Sequence, residues 1–277
     1  MTPDQYCQQK AAASGSSFYY AFLFLPPERR RAITALYAFC REVDDAVDEA
    51  SEVQLAAAKL AWWRSEVAHL HAGKPQHPVT RSLAPFKERF SISAQRLNEI
   101  IDGMEMDLTQ TRYLDWPGLE RYCDLVAGVV GLLAAGIFGY RNPRTLEYAR
   151  ELGIAFQLTN VIRDVGEDAR KNRIYLPMED MQRFNVPASD ILQFRETDGF
   201  KALMAFQAER AKSRYHKAMQ ALPAEDRRAQ RPGLIMAAIY RALLAEIEDD
   251  GFRVLTQKTS LTPLRKLFIA WKTWLAG

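Results

Sequence analysis

The chain has 277 residues, 48% of them hydrophobic, with 37 basic and 34 acidic side chains. A net charge of +3 is too small to argue for a nucleic-acid partner, and three scattered cysteines (Cys7, Cys40, Cys123) offer neither a disulfide framework nor a C-x-x-C metal site. With only 14 glycines and 13 prolines, the composition favours helix over a many-turned β fold.

The N-terminal segment lacks a basic-then-apolar signal pattern, and no run of about 18 apolar residues follows anywhere, so a reducing cytoplasm and no bilayer span are expected. Residues 3–13 read as a short helix opening with Pro3 and Asp4, and Ser14 to Ser17 as a small-residue loop running into Phe18. Pro26-Pro27 starts a helix from about Glu28 to Glu49, with Pro27 suited to its first turn. On its wheel Tyr37, Arg41, Asp44 and Asp48 share one stripe, with Asp45 at the edge and Ile33, Leu36, Phe39, Val43 and Val47 on the flanks. Helices are expected over 52–72, 79–90 and 93–112. Trp116-Pro117 opens another, whose Gly128 and Gly131 suit close helix packing or room beside an apolar ligand. One helix is expected over 144–168, then a basic loop Arg170-Lys171-Asn172-Arg173, short helices near Pro177 and Pro187, and long ones over 198–221, 232–255 and 262–275. No alternating strand pattern, repeat or linker interrupts them, so the reading is all-α: one domain, 1–277, around a central space.

The 144–168 helix carries the pattern that matters. Gln157, Asn160, Asp164 and Asp168 fall in a stripe about 80° wide on an otherwise apolar helix. A water-facing stripe normally covers about half the wheel, so this one faces a polar hollow inside the protein. Buried carboxylates are costly unless paired. Carboxylates four apart sit about 6 Å from one another and bracket a divalent ion. If the two acidic stripes face each other, they hold two or three Mg²⁺ around a diphosphate, with Arg41, Arg163, Lys171 and Arg173 donating to phosphate oxygens. Phe18, Tyr37, Tyr122, Val126, Gly128 and Tyr240 suit an apolar chain and would keep an allylic cation dry.

The sequence resembles the squalene/phytoene synthases, the head-to-head isoprenoid condensing enzymes, from Ser17-Phe18 to about Arg253. The resemblance rests on Tyr37-Ala-Phe-Cys-Arg41 leading into Asp44-Asp-Ala-Val-Asp48, on Tyr122 before Val126-Ala-Gly-Val-Val-Gly131, and on Gln157 to Asp168 with Arg173-Ile-Tyr175-Leu-Pro177 behind it. It implies an isoprenoid synthase-type helical bundle around a central cavity. It implies that Asp44, Asp48, Asp164 and Asp168 bind Mg²⁺ with Asn160 and Asp45 assisting. Arg41, Arg163, Lys171, Arg173 and Tyr175 then lie near the diphosphates, and Phe18, Tyr37, Tyr122, Gln157 and Tyr240 along the prenyl channels.

Within the family the chain looks most like the bacterial hopanoid-pathway presqualene diphosphate synthases. The expected reaction joins two farnesyl diphosphates, needs no NADPH, and hands its product to downstream isoprenoid enzymes. Alternatives are phytoene or dehydrosqualene synthesis, NADPH-dependent squalene synthesis, or a non-catalytic assembly partner. The eukaryotic squalene synthases carry a C-terminal membrane anchor, and no counterpart to it is expected here. The 262–275 helix, with Leu264, Leu267, Phe268, Trp271, Trp274 and Leu275 on one side, reads as the last helix of the bundle, with a peripheral membrane contact as the alternative. Trp62, Trp63, Trp271 and Trp274 read as packing residues, and the four histidines as surface residues. Asp102, Glu105 and Asp107 read as a solvated face, or as support near the metals.

Overall fold

The computed structural model describes residues 1–13, 18–50 and 52–276; the loop expected at Ser14 to Ser17 lies outside them. Among the described residues the fold is all-α, with no strand and a single parallel bridge between Arg112 and Ile174. Helices α1 (Pro3–Ala13), α2 (Phe18–Phe22), α3 (Pro27–Asp48), α4 (Val53–His71) and α5 (Pro78–Leu83) come first. Then follow α6 (Ala94–Thr109), α7 (Trp116–Cys123), α8 (Val129–Phe138), α9 (Arg144–Arg163) and α10 (Val165–Arg170). The chain closes with α11 (Met178–Arg183), α12 (Ala188–Leu192), α13 (Asp198–Ala221), α14 (Arg231–Asp249) and α15 (Pro263–Ala276).

Local chemistry sets most of these boundaries. Ser93, Asp115 and Thr197 cap α6, α7 and α13, their side chains accepting from the backbone N–H groups of Arg96, Gly118 and Phe200. The helix expected over 79–90 stops at Leu83, because Pro85 cannot donate to the ladder and a 3₁₀ turn, Ala84–Phe86, replaces it. The one expected to 255 ends at Asp249, where Gly251 takes a left-handed φ of 70°. His77 is no surface residue: its Nδ1 accepts from Val79 N at 3.2 Å, and its ring packs edge-on against Trp63.

α9 is the central helix, buried on nearly every side between α13 and the α7–α8 rod. Glycines make that approach possible. A β-carbon on Gly131 would stand 2.2 Å from the Ala149 carbonyl oxygen, and one on Gly153 2.2 Å from that of Ala127. A π turn, Asp124–Gly128, joins α7 to α8. Trp116–Phe138 contains Glu120, Arg121 and Asp124, yet is long and apolar enough to cross a bilayer by length and composition alone. Here it is a core helix, clasped by α9. Asp226 anchors the start of α9, accepting from Arg141 N (2.8 Å), Asn142 N (2.9 Å) and Thr145 Oγ1 (2.6 Å).

Candidate active site

The helices that carry the two acidic stripes border a common space: Tyr37, Cys40 and Arg41 on one side and Gln157, Asn160 and Arg163 on the other. α3 ends in Arg41, Asp44, Asp45 and Asp48, and α9 runs into Asp164 and Asp168. The helix expected over 144–168 breaks at Asp164 (φ −98°, ψ 7°), so α10 starts a new turn at Val165. Gly166 permits the break to pack, since a β-carbon there would meet the Leu255 carbonyl oxygen at 2.3 Å. Beyond α10, Lys171 Nζ reaches Asp48 Oδ2 at 2.9 Å and an Arg173 guanidinium nitrogen reaches Asp48 Oδ1 at 3.2 Å. The far end of one motif is thus tied to the loop after the other.

Each acid has its own electrostatic setting. Arg41 spans Asp44 Oδ2 (2.6 Å) and Asp45 Oδ1 (2.9 Å), while Lys10 holds the other oxygen of Asp45 at 2.7 Å. Arg163 grips Asp164 with two nitrogens. Burial pushes the Asp44 carboxyl up to about 6 against the opposing pull of Arg41. Burial, then the charges of Asp164 and Asp107, push Asp168 up to about 7, and among the described residues it has no direct ion pair. Burial works on Asp48 in the same sense, but Lys171 and Arg173 hold it below the usual range. Asn160 Oδ1 is buried with no hydrogen-bond partner. Among the described residues no three acidic, histidine or cysteine side chains close around a metal by themselves. Hard oxygen donors, an orphaned carbonyl and under-neutralised carboxylates fit Mg²⁺, which takes one or two carboxylates and completes its shell with water and substrate phosphate.

Beneath the acids an apolar tunnel runs down between α3, α8 and α9. Its upper rim is Tyr37, Cys40, Gln157 and Asn160, and its floor is Phe138, Tyr148 and Gly233. Along α9 the lining spans Asn160 to Tyr148, about 18 Å at the helical rise. Beside the rim lies a cationic vestibule lined by Arg41, Arg163, Lys258 and Lys266. Tunnel and vestibule share Phe18, Tyr37 and Asn160. The Phe18 ring stands 5.7 Å from Tyr37 and 6.2 Å from Tyr240, and Phe156 stands 4.7 Å from Tyr240. An aromatic collar therefore sits where polar and apolar spaces meet.

Comparison with known proteins decides the family. The family model for squalene/phytoene synthase matches residues 11–265. The chain belongs to the squalene/phytoene synthase family. A protein of Synechocystis sp. named 15-cis-phytoene synthase is 34% identical over 97% of this chain and 83% of its own. One of Synechococcus elongatus with the same name is 34% identical over 94% and 89%. Among solved structures, a dehydrosqualene synthase with ligand superimposes with a TM-score of 0.88 at 29% identity, covering 99% of this chain and 96% of the other. Squalene synthase HpnC from Alicyclobacillus acidocaldarius gives 0.80 at 27% identity, covering 90% and 94%. The expectation of a presqualene diphosphate synthase is overturned: relatives alike over nearly the whole chain carry the phytoene name instead.

Within this squalene/phytoene synthase site, Tyr122 is not among the residues that line the tunnel, while Tyr175 lies close enough to Arg173 and Asp168 to feel their charges. Tyr122 is buried off the tunnel, and its hydroxyl donates to Asp107 Oδ2 at 2.9 Å; the Tyr175 hydroxyl donates to Asp107 Oδ1 at 2.9 Å. Their rings stack at 5.2 Å. Asp107 is 7% exposed, and burial raises it to about 6 despite the Tyr122 hydrogen bond and the Arg173 charge. Of the acids read as a solvated face, Asp102 and Glu105 do face outward and pair with Arg64, whereas Asp107 supports the site. Helical spacing holds the clue: Asp107 follows Gly103 and Met104, both buried, on the inner face of α6. Lys258 and Lys266 were missed because they follow the last recognisable motif, and only tertiary packing brings them beside Arg163.

Proposed function

We propose that this protein joins two C20 prenyl diphosphates head to head into phytoene, releasing two diphosphates and two protons and consuming no reductant. The observation that carries the reading is an apolar tunnel bordered by the two helices that end in the acidic motifs, in a chain 34% identical over 97% of its length to a relative named 15-cis-phytoene synthase.

In this reading Arg41, Arg163, Lys171 and Arg173 hold phosphate oxygens by charge-assisted hydrogen bonds. Asp44, Asp48, Asp164 and Asp168, with Asn160, hold Mg²⁺, and Asp45 steadies Arg41 from the side facing Lys10. Bound Mg²⁺ supplies charge neutralisation to the departing diphosphate. The first diphosphate leaves C1 of the donor. The C2=C3 double bond of the acceptor attacks that carbon, and loss of one proton closes a cyclopropane. Loss of the second diphosphate, ring opening and loss of a second proton form the central double bond. Phe18, Tyr37, Phe156 and Tyr240 present ring faces to the transient cations and keep water away.

The test is purified protein with Mg²⁺ and geranylgeranyl and farnesyl diphosphates in competition, with products identified by mass spectrometry. A C40 hydrocarbon formed without NADPH is expected; a C30 product in excess would overturn the chain-length assignment.

A further inference from the structure

The apolar side of α15 faces the wrong way for a core helix. Leu264, Leu267, Phe268, Trp271, Trp274 and Leu275 lie on an arc about 120° wide. Five of them point outward, from 44% exposed at Leu267 to 80% at Leu264, and Trp274 at the margin of the arc is 37% exposed. Together they are six of the fourteen exposed large hydrophobic residues among those described. The face that packs on α14 and α2 is instead Lys266, Ile269, Ala270 and Thr273. Trp274 is held at its edge by stacking on Phe24 at 5.5 Å, which fixes the orientation. The reading of Trp271 as a packing residue is therefore wrong: it is 52% exposed. A contiguous apolar face of this size marks an interaction surface.

Charge selects the partner. The chain as a whole is nearly balanced, yet no acidic residue follows Asp250, while Arg253, Lys258, Arg265, Lys266 and Lys272 do follow it. Arg265 and Lys272 flank the apolar arc on one side. Lys272 makes no ion pair among the described residues, whereas Arg265 is tied to Glu246. Arg253 and Lys258 are likewise tied to Asp250 and Glu167, so Lys272 is the unpaired cation beside the arc among the described residues, and two copies meeting through this face would set it against its own counterpart. An apolar stripe carrying tryptophan and edged by basic residues matches the headgroup layer of an anionic bilayer.

We propose that α15 seats the protein on the anionic surface of a lipid bilayer. Phe268 and Trp271 enter the boundary between headgroups and acyl chains, and Lys272 pairs with lipid phosphate. The opposite face of the same helix presents Lys266 to the cationic vestibule, so α15 lies between the docked surface and that vestibule. The inference does not depend on which prenyl diphosphate the site uses.

The experiment is co-sedimentation of the full chain with vesicles of equal parts phosphatidylglycerol and phosphatidylcholine, beside pure phosphatidylcholine, without substrate. Strong binding to the anionic vesicles is expected, falling about tenfold or more in Phe268→Ser/Trp271→Ser. Lys272→Glu should weaken binding to the anionic vesicles and leave the neutral ones unchanged. These side chains stand in solvent, so helix content and turnover in detergent should match the parent. Failure of the parent to sediment, or equal sedimentation of the double variant, overturns the proposal. So does a dimer in sedimentation velocity that the double variant dissociates, which would assign the face to a second copy.

Discussion

Lys171 Nζ lies 2.9 Å from Asp48 Oδ2, joining residues 123 positions apart across the mouth of the site. Lys171 is more than half exposed, so the pair adds little to stability. Its consequence is placement: a cation that can exchange a carboxylate for a phosphate stands between the two acidic helix ends. Lys171→Met should raise KM for the prenyl diphosphate about tenfold, with Tm changed by no more than about a degree, and Arg173→Met, at a side chain only 19% exposed, should raise KM likewise. Steady-state kinetics beside thermal melts check this; a large fall in Tm with KM unchanged would make the tie purely structural.

Asp164→Asn should lower kcat by a factor of about 10² to 10³ with helix content unchanged, since the side chain sits at a helix break rather than in the core. Chelation should abolish product formation, and Mg²⁺ should restore it. Asp168 and Asp44 titrate near 7 and 6 because burial favours their neutral forms. A cation binds the deprotonated acids, so Mg²⁺ affinity should weaken as pH falls from 8 through 6. Calorimetric titration at the two pH values reads it; equal affinity at both would remove these carboxylates from the metal's shell.

Ala134 lines the tunnel partway down. Ala134→Phe should block the lower tunnel and shift the kcat/KM ratio of geranylgeranyl over farnesyl diphosphate downward by about tenfold or more. An unchanged ratio would mean that the prenyl chain does not lie there.

Asp226 holds three donors at the start of α9. Asp226→Ala should cost about 2–4 kcal/mol, because buried donors lose their acceptor. Burial alone would raise this carboxyl, but Thr145 and the backbone N–H groups of Asn142 and Arg141 hold it below its ordinary value. Its contribution is therefore present in full above the unfolded carboxylate value of about 3.9, and is lost as pH falls through the lower folded value. Urea unfolding of parent and variant should show the gap at pH 7 and its narrowing below pH 4. A constant gap would mean that the charge is irrelevant.

By itself the sequence determined which segments are helical and where the acids sit on them. Those features are local: Ser93, Asp115 and Thr197 cap from within three residues, and carboxylates four apart share a face whatever surrounds them. The family motifs lie on the same local scale, which is why Asp44, Asp48, Asp164 and Asp168 were readable without coordinates. Tertiary structure decided the rest. How closely the chain after the break at Asp164 packs depends on residue 255, whose carbonyl leaves room at position 166 for nothing larger than glycine. Tyr122 turns to Asp107 rather than to the tunnel, and Tyr175 joins it there, because a buried carboxylate 15 and 68 positions away needs donors. The outward turn of α15 was invisible for the same reason: a helical wheel records which residues share a face, while the direction of that face is set by the contacts of Ala270 and Trp274 with distant helices.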